Sequence, residues 1–581
     1  MLLSLRLALF SLLVAAVPAQ ARRGTVVKPT RCEPIAGVED PTNLVVKFVE
    51  GSAVRLRGGR WQSGVGQDLG GVLQAVAGAV AVERLFLRSE AELDRDRAAL
   101  QQRLAATAAV AGVAVEPPAE LNLYYRVRLP TPAAGLAAWA ALLAEAVVET
   151  AFLDTLPGYA ADPTDLAPPT PDFTAGQGFW GAPPNGIGIA AARMLPGGRG
   201  EPLQVLDIET GLIVDHEDLP LATAANVIGP NPNPTDHGQA VAGELVAARN
   251  EYGVDGGLWR ARYKFHSHQS QFWAAAVDTA AANSAPGDII VLEVQLPCPF
   301  GAGSVCPMEG RQDVFDAVRN ATLAGIHVVA AAGNGSQNLD NPVFQGVFSR
   351  AVRDSGAILV GATNGSALTR ASFSNHGSIV DGNGWGQSVR TTGYGGLFNG
   401  GGDPKQRYTD TFSGTSSATP IVTSAVGAAI GAAKFQLGQV LTPAQARALV
   451  QQHGSSVATI GRRPDVAAML AALGLPAGLS LQAEVGLGGT VTLQFTATSN
   501  QLCVVMGDWS GVASTTPYGR LLLDPNTVVA AGVYVGAGSH STPVPLNPSL
   551  RGTELHWQVL RYDVTTDGIT LTNSVVSHFA Q

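Results

Sequence analysis

The chain has 581 residues, of which 46% are hydrophobic and only 14% are charged, well below the roughly 25% charged fraction of an average soluble protein. That composition excludes a coiled coil and argues against a charge-rich disordered protein. The 37 basic and 46 acidic residues leave a net charge of −9, whereas a nucleic-acid-binding surface is usually basic. We therefore expect a globular protein of several domains with no nucleic-acid partner.

The N-terminus has the pattern of a secretory signal peptide. One basic residue, Arg6, precedes an apolar run at 7–17, and the small-residue sequence AQA at 19–21 matches a cleavage site. The run is too short to span a membrane, and no run of eighteen apolar residues follows it. We predict that residues 1–21 are removed, that the protein is secreted to the extracellular space or the periplasm, and that it has no membrane span.

The next segment, 22–165, is predicted to form a small α+β domain. Its predicted elements are strands at 44–49 and 121–129 and helices at 71–111 and 133–150. The Pro-rich stretch 162–184 is interpreted as an extended, exposed linker that ends at about residue 185, because repeated Pro excludes a helix.

The segment 186–475 is predicted to be an α/β domain built on a parallel sheet. Nearly continuous apolar runs are typical of strands that are buried on both faces, and helical stretches alternate with them. The predicted strands lie at 203–208, 289–294, 326–332 and 357–361, and the predicted helices at 237–249, 271–284, 314–324 and 417–434. Another helix is predicted to begin at Thr442, which is followed by Pro443 and, three residues on, by Gln445.

After residue 475 the helical period disappears. Short alternating strands are predicted at 490–495, 502–505, 554–559 and 569–573. This pattern predicts a separate C-terminal β-sandwich over 476–581.

The chain contains four cysteines, which can form disulfides if the protein is exported. Cys298 and Cys306 are close enough in sequence to form a local disulfide. Cys32 and Cys503 have no evident partner in the sequence. Because no cysteine or histidine cluster has zinc spacing, we predict no metal site of that kind.

Three patterns at predicted strand-to-helix junctions carry the candidate chemistry. Asp207 and Glu209 lie on one face at the end of a buried strand, where charged groups are costly unless they are paired. His237 begins a helix, a position that keeps the imidazole neutral and able to act as a base. Ser416 begins another helix after a Gly turn, where helix N–H groups can stabilise an oxyanion. The alternative interpretations are a structural ion pair, a structural histidine and an N-capping serine.

Together with the sequence AAAGNG at 330–335, these patterns resemble the subtilisin-like serine proteases (subtilases). The family's four blocks occur here in the same order over about 172–475. The segments 207–209, 216–219 and 287–295 resemble a less studied bacterial branch of that family. The resemblance implies a parallel sheet sandwiched by helices, and the N-terminal domain occupies the position of the family's propeptide.

The resemblance also implies residue roles in peptide-bond hydrolysis. Ser416 is then the nucleophile and His237 the general base. The side-chain amide of Asn334 and the backbone N–H of Ser416 form the oxyanion hole. For the acid that orients His237, the sequence register favours Glu209, whereas the residue type favours Asp207. The acid that does not reach His237 is expected to bind backbone or a cation.

Substrate chains in this family pair with strands beside the cleft. The corresponding substrate-binding residues here are Leu292, Val294, Ala331, Ala332 and Gly333. We expect no cofactor; calcium often binds subtilases as a structural ion, but the oxygen-rich loop 338–341 is interpreted as solvated.

The expected partners are polypeptide substrates and the chain's own propeptide, and the expected state is a monomer. The function so implied is that of a secreted serine endopeptidase. The alternative, motivated by Glu209 and by the C-terminal β domain, is a catalytically inactive subtilase fold that serves as a binding or adhesion module.

Overall fold

A computed structural model of the chain describes residues 26, 28, 39–111, 117–155, 170–250, 252–270, 272–299, 304–476, 478–481, 487–511, 513–545, 550 and 553–579. The predicted signal peptide at 1–21 and Cys32 lie outside the described residues, as does the part of the predicted linker before residue 170. Those predictions therefore stay predictions.

The N-terminal domain is an antiparallel sheet with helices. Its elements are β1 (Glu39–Phe48), β2 (Val54–Arg57), β3 (Arg60–Ser63), α1 (Gly70–Ala75), β4 (Ala81–Arg84), α2 (Glu90–Ala111), β5 (Tyr124–Arg128), α3 (Pro132–Ala144) and β6 (Val148–Thr155). The main sheet has the strand order β4-β5-β1-β6. The predicted helices at 71–111 and 133–150 are therefore wrong in part, because β4 interrupts the first and β6 replaces the end of the second.

Successive side chains of strand β1 point alternately into two different hydrophobic cores. Leu44, Val46 and Phe48 face α3 and form the domain's own core. Val45 faces the other way and joins a core that includes helices of the next domain. One face of the sheet therefore packs on helix α3 of the same domain, and the other face packs on the central domain.

The central domain contains a nine-stranded sheet. Its elements are α4 (Ala190–Arg193), β7 (Gln204–Glu209), β8 (Val227–Ile228), α5 (Asp236–Val246), β9 (Arg262–Ser267), α6 (Trp273–Ala282), β10 (Ile289–Leu292), β11 (Gln295–Pro297), β12 (Val305–Pro307), α7 (Gln312–Leu323), β13 (His327–Ala331), β14 (Ile358–Thr363), β15 (Gly382–Trp385), β16 (Val389–Thr392), β17 (Phe398–Asn399), β18 (Arg407–Phe412), α8 (Thr415–Ala432), α9 (Pro443–Gln452), β19 (Gly454–Ser456), β20 (Arg462–Pro464) and α10 (Val466–Ala472). The sheet order is β19-β20-β15-β14-β13-β10-β7-β9-β8, and all its pairs are parallel except β19 with β20.

Helices cover both faces of this sheet, as the apolar runs predict. Val205, Val291 and Val329 pack on the face of α5 and α8. Their neighbours in the sequence, Leu206, Ile290 and Val328, pack on the face of α6 and α7. The predicted doubly covered parallel sheet is confirmed.

Helix α8 runs through the centre of the domain. Together with the turn that follows it, the stretch Thr415–Leu437 is long and apolar enough to cross a membrane, but 89% of its most apolar window is buried inside the protein. That burial is typical of a core helix. The helix predicted to begin at Thr442 is α9, and Thr442 and Gln445 exchange hydrogen bonds there in a capping box.

The second half of the predicted linker is not an exposed linker. From Thr170 the chain packs on the central domain, and the Phe173 amide donates to the Gly253 carbonyl at 2.7 Å. Phe179 and Trp180 are buried in the core of that domain. The described part of the stretch contains no long helix, as its prolines predict. It is nevertheless held on the central domain, because its aromatic side chains are buried there.

The C-terminal domain consists of short antiparallel strands. They are β21 (Leu479–Leu481), β22 (Thr490–Phe495), β23 (Gln501–Asp508), β24 (Ser514–Thr516), β25 (Gly519–Leu521), β26 (Val529–Val535), β27 (Gly538–Pro543), β28 (Glu554–Asp563) and β29 (Gly568–His578). The larger sheets have the orders β21-β22-β27 and β26-β23-β28-β29. Leu493 and Phe495 of one sheet and Val559 and Val575 of the other share a core, as the predicted β-rich domain requires.

Candidate active site

An acid–base pair lies at the end of β7. Glu209, the last residue of β7, is 1% exposed, and its Oε1 lies 2.5 Å from His237 Nδ1. Its Oε2 accepts a hydrogen bond from the Thr210 amide at 2.8 Å. Because an ionised carboxylate only accepts hydrogen bonds, the proton of this contact belongs to Nδ1. The other ring nitrogen, Nε2, then holds a lone pair and can act as a base.

The local fold around α5 places the histidine. Thr235 caps the helix by accepting from the Gly238 amide, and its hydroxyl donates to the Gly211 carbonyl at 2.9 Å. Gly238 is needed at the crossing, since a Cβ there would lie 2.2 Å from the Gly211 oxygen. The His237 ring packs edge-on against Phe412, with ring centres 5.4 Å apart. Since Phe412 ends the strand β18 that precedes α8, this contact brings the imidazole close to the junction between β18 and α8.

The pKa of His237 results from two opposing effects. Burial lowers the pKa, but the charge of Glu209 and the hydrogen bond to it raise the pKa by more. The net direction is upward from the ordinary histidine value. The neutral form, which can accept a proton at Nε2, therefore predominates only toward the alkaline side of that value.

Asp207 is excluded from the histidine. It is fully buried, its Oδ2 accepts from the Tyr263 hydroxyl at 3.0 Å, and its Oδ1 has no partner among the described residues. Burial and the neighbouring Glu209 raise the pKa of Asp207 well above its ordinary value. The expectation that the second acid binds backbone or a cation is wrong, because a phenol from the adjacent strand β9 binds it instead.

Two further buried acids were missed by the sequence reasoning. The register that pairs Leu292 with Ile208 brings the next residues, Glu293 and Glu209, to neighbouring positions on one face. Neither carboxyl oxygen of Glu293 has a partner in the described part of the chain, and the same holds for Glu244 of α5. Burial raises the pKa of Glu293 and of Glu244 well above the ordinary value. For Glu293, the signal in the sequence was an acidic residue inside the otherwise apolar run 289–294.

Ser416 and Asn334 meet at the beginning of α8. Ser416 is the second residue of the helix and is 8% exposed. Asn334 Oδ1 accepts from the Thr415 amide at 2.8 Å and from the Thr415 hydroxyl at 3.1 Å. Gly414 has φ +103°, and a Cβ there would lie 3.1 Å from Asn334 Nδ2. The turn thus needs Gly, and the Asn334 Nδ2 amide stays available as a donor beside the helix N–H groups.

The predicted substrate-binding residues fall into two groups. Leu292 is corrected: it pairs with Ile208 on one side and with Ala330 on the other, so it offers no free edge to a peptide, and its side chain is 1% exposed. Val294 is half-buried and follows the end of β10. For Val294 the substrate-binding role stays a prediction.

The remaining substrate-binding residues follow or end β13. Ala331 and Ala332 are buried, and the Ala332 amide donates to the Val360 carbonyl of β14 at 2.9 Å. Gly333, with φ +92°, begins the turn to Asn334. Their place next to Asn334 agrees with a position beside the cleft, and their role also stays a prediction.

The predicted disulfide between Cys298 and Cys306 is present, and it closes the β11–β12 hairpin. Cys503 is buried and forms no disulfide with another described residue. Among the described residues no group of three or more His, Cys, Asp or Glu could hold a metal ion. In the loop 338–341, the Asp340 carboxylate accepts hydrogen bonds from Ser378.

The central domain is similar in sequence to known proteins. The sequence model of the subtilase family matches residues 221–463. The subtilisin of Bacillus pumilus is 30% identical over 211 residues, which are 34% of this chain and 70% of that protein. The chain belongs to the subtilase family. By family it is a serine-type endopeptidase, a hydrolase.

Other relatives of this subtilase are more distant. Subtilisin E of Bacillus subtilis is 29% identical over 34% of this chain and half of its own length. The solved structure of the epidermin leader peptide processing serine protease from Staphylococcus aureus aligns over 74% of this chain and 98% of its own, with 14% identity and a TM-score of 0.45. The family match contains His237, Asn334 and Ser416 but begins after Glu209, so geometry alone distinguishes the two candidate acids.

Exchange of each acid for its amide separates their roles. We expect Glu209→Gln to lower kcat by about 10³- to 10⁴-fold, because the amide no longer holds the Nδ1–H tautomer or stabilises the imidazolium. Asp207→Asn is the matched control and should keep kcat within about threefold, since Asn still accepts from Tyr263. Steady-state kinetics on a peptide substrate measure both. The assignment is wrong if Asp207→Asn is the variant that loses activity.

The raised pKa of His237 predicts the acid limb of the pH profile. Since protonated His237 cannot act as a base, kcat/KM should fall as the pH decreases through a midpoint above the ordinary histidine value of about 6.5. In Glu209→Gln, burial acts without the opposing charge, so the midpoint should move to lower pH. The rate at which a fluorophosphonate labels the serine, measured against pH, gives both midpoints. An unchanged midpoint in Glu209→Gln contradicts the contact.

Proposed function

We propose that this subtilase is an active, exported endopeptidase that hydrolyses peptide bonds through an acyl-enzyme on Ser416. The observation that carries the proposal is the 2.5 Å contact between Glu209 and His237, whose imidazole packs on Phe412 just before the helix that bears Ser416. A binding module would not need a buried carboxylate to hold an imidazole tautomer there.

The residues divide the reaction among them. Ser416 Oγ attacks the peptide carbonyl carbon while His237 Nε2 takes the hydroxyl proton. The carbonyl oxygen becomes an oxyanion that accepts from the Ser416 amide and from Asn334 Nδ2. His237 then gives the proton to the leaving amine, and an acyl-enzyme forms. Water attacks the ester in the same way, with His237 again as the base, and releases the acid.

The N-terminal domain is proposed to be a cap that is removed. It docks on α6 and α7 through the sheet face that carries Val45, in a shared apolar core. Lys47 is completely buried in this contact, and its Nζ lies 2.9 Å from Asp316 Oδ2 of α7. The Tyr124 hydroxyl donates to the same carboxylate oxygen at 2.6 Å. Lys47 also pairs with Glu50 and Glu149 of its own domain, so Asp316 is the buried acid that gains its partner from the docked geometry.

Further ion pairs surround that contact. Arg88 reaches Asp278 of α6 at 3.2 Å, and Arg311 of the central domain reaches Asp154 of β6 at 3.3 Å. Between the end of β6 and Thr170, where the chain packs on the central domain, only residues 156–169 connect the two domains. We place the processing site in this connection, because the segments on either side of it are held by their folds.

A fluorophosphonate probe tests the nucleophile. Wild type should be labelled at one serine, and Ser416→Ala should abolish labelling because it removes the hydroxyl that attacks the probe. Ser417→Ala is the matched control and should stay labelled, since the Ser417 hydroxyl already donates to the Trp385 carbonyl at 2.9 Å. Mass spectrometry of the labelled peptide identifies the residue. Absence of labelling in folded wild type would favour the inactive binding module.

Maturation is tested by N-terminal sequencing and intact mass of the exported protein. Wild type should begin within 156–170 after cleavage by Ser416, whereas Ser416→Ala should begin near residue 22 and keep the N-terminal domain. A full-length active enzyme that begins near residue 22 would make the domain permanent and contradict the proposal. Cleavage of Ser416→Ala at the same bond would assign the cut to another protease.

A further inference from the structure

The hairpin that follows β10 contacts Asn334 through one side chain. Gln295 is the first residue of β11, and its Oε1 accepts from the backbone amide of Asn334 at 2.7 Å. The same oxygen lies 3.5 Å from the point that a Cβ on Gly333 would occupy. Gln295 is therefore packed against the turn that presents Asn334.

Asn334 is held from two sides. Gln295 binds its backbone N–H, and Thr415 binds its side-chain oxygen through both the amide and the hydroxyl. The Thr415 hydroxyl also accepts from the Gly333 amide at 3.2 Å. With Oδ1 fixed on the α8 side, Nδ2 is the donor that remains for a ligand, and the Gln295 contact sets where the Asn334 backbone lies.

The hairpin that carries Gln295 is itself fixed. A disulfide links Cys298, which directly follows β11, to Cys306 of β12. The Ser304 hydroxyl donates to the Gly335 carbonyl at 3.1 Å. Buried Asn375 donates from Nδ2 to the Val305 carbonyl at 2.9 Å and to the Ala332 carbonyl at 2.7 Å. These contacts join the hairpin and the Asn334 turn into one unit, so the Gln295 side chain has a defined place from which to act.

We propose that Gln295 is a positioning residue that holds the Asn334 turn so that Nδ2 is directed at the oxyanion. The inference rests on the proposed function and adds a residue to it. Gln295 does not donate to the oxyanion; it acts through Asn334.

The size of the effect follows from the geometry. An oxyanion donor contributes about 10²- to 10³-fold to the rate, and a displacement of about 1 Å in a catalytic group can cost about 10²-fold. Removal of the Gln295 acceptor leaves the Asn334 amide without its partner, and the turn moves to find another. We therefore expect a loss of about 10- to 100-fold in kcat with little change in KM, since the contact matters in the transition state.

The experiment uses the full chain with Gln295→Met, which keeps the length of the side chain and removes the acceptor. Gln337→Met is the matched control: the Gln337 side chain binds the Gly335 carbonyl of the same turn at 2.9 Å but not Asn334. All variants carry a C-terminal affinity tag and are matured with a trace of untagged wild type, then separated. The readouts are kcat and KM on a fluorogenic peptide that wild type cleaves, the rate of fluorophosphonate labelling and the thermal midpoint.

A double-mutant cycle distinguishes positioning from a general structural role. If Gln295 acts through Asn334, Gln295→Met should lower the labelling rate in wild type but change it less than about twofold in an Asn334→Ala background. If Gln295→Met does not accumulate as folded protein, Gln295→Ala enters the same cycle.

Two results would overturn the inference while leaving the proposed function intact. One is an unchanged kcat and labelling rate in Gln295→Met when wild type is labelled. The other is a loss of labelling rate that does not depend on the Gln295–Asn334 contact: either an equal loss with and without the Asn334 side chain, or an equal loss in Gln337→Met. Absence of labelling in wild type itself would instead contradict the proposed function.

Discussion

The contact between Glu209 and His237 is the interaction on which the rest of the candidate site depends. Glu209 is almost fully buried, yet both its oxygens receive hydrogen bonds, one from the imidazole and one from the Thr210 amide. Asp207 and Glu293 on neighbouring positions of the same sheet face lack such a set of donors, and burial raises the pKa of each. Of these three acids, Glu209 is therefore the one whose two oxygens both have donors, and one of those donors is the histidine.

The sequence was sufficient for the parts of the fold that local pattern determines. Apolar runs predicted the parallel strands, and Gly414 predicted the turn before Ser416, because a helix that begins after a left-handed residue favours Gly there. The alternation of strand β7 placed Asp207 and Glu209 on one face but did not decide between them. The choice depends on the position of each acid along the strand. Asp207 lies two residues before Glu209, and its carboxylate contacts Tyr263 of β9 instead of the histidine.

What the sequence could not predict depends on pairing between distant segments. Strand β4 lies in an Ala-rich stretch and exists because β5 pairs with it, and β6 likewise forms against β1. The position of Glu293 beside Glu209 follows from the register of β10 on β7. The contact between Gln295 and Asn334 joins residues 39 positions apart, and nothing in either local pattern indicates it.

A crystal structure of the enzyme with a peptide boronic acid would show whether Glu209, His237, Asn334 and Ser416 act on one bound ligand. We expect a boron–oxygen bond to Ser416 Oγ, one boronate oxygen within hydrogen-bonding distance of the Ser416 amide and Asn334 Nδ2, and His237 Nδ1 on the Glu209 carboxylate. A histidine turned toward another acid, or a boronate oxygen remote from Asn334, would contradict this expectation.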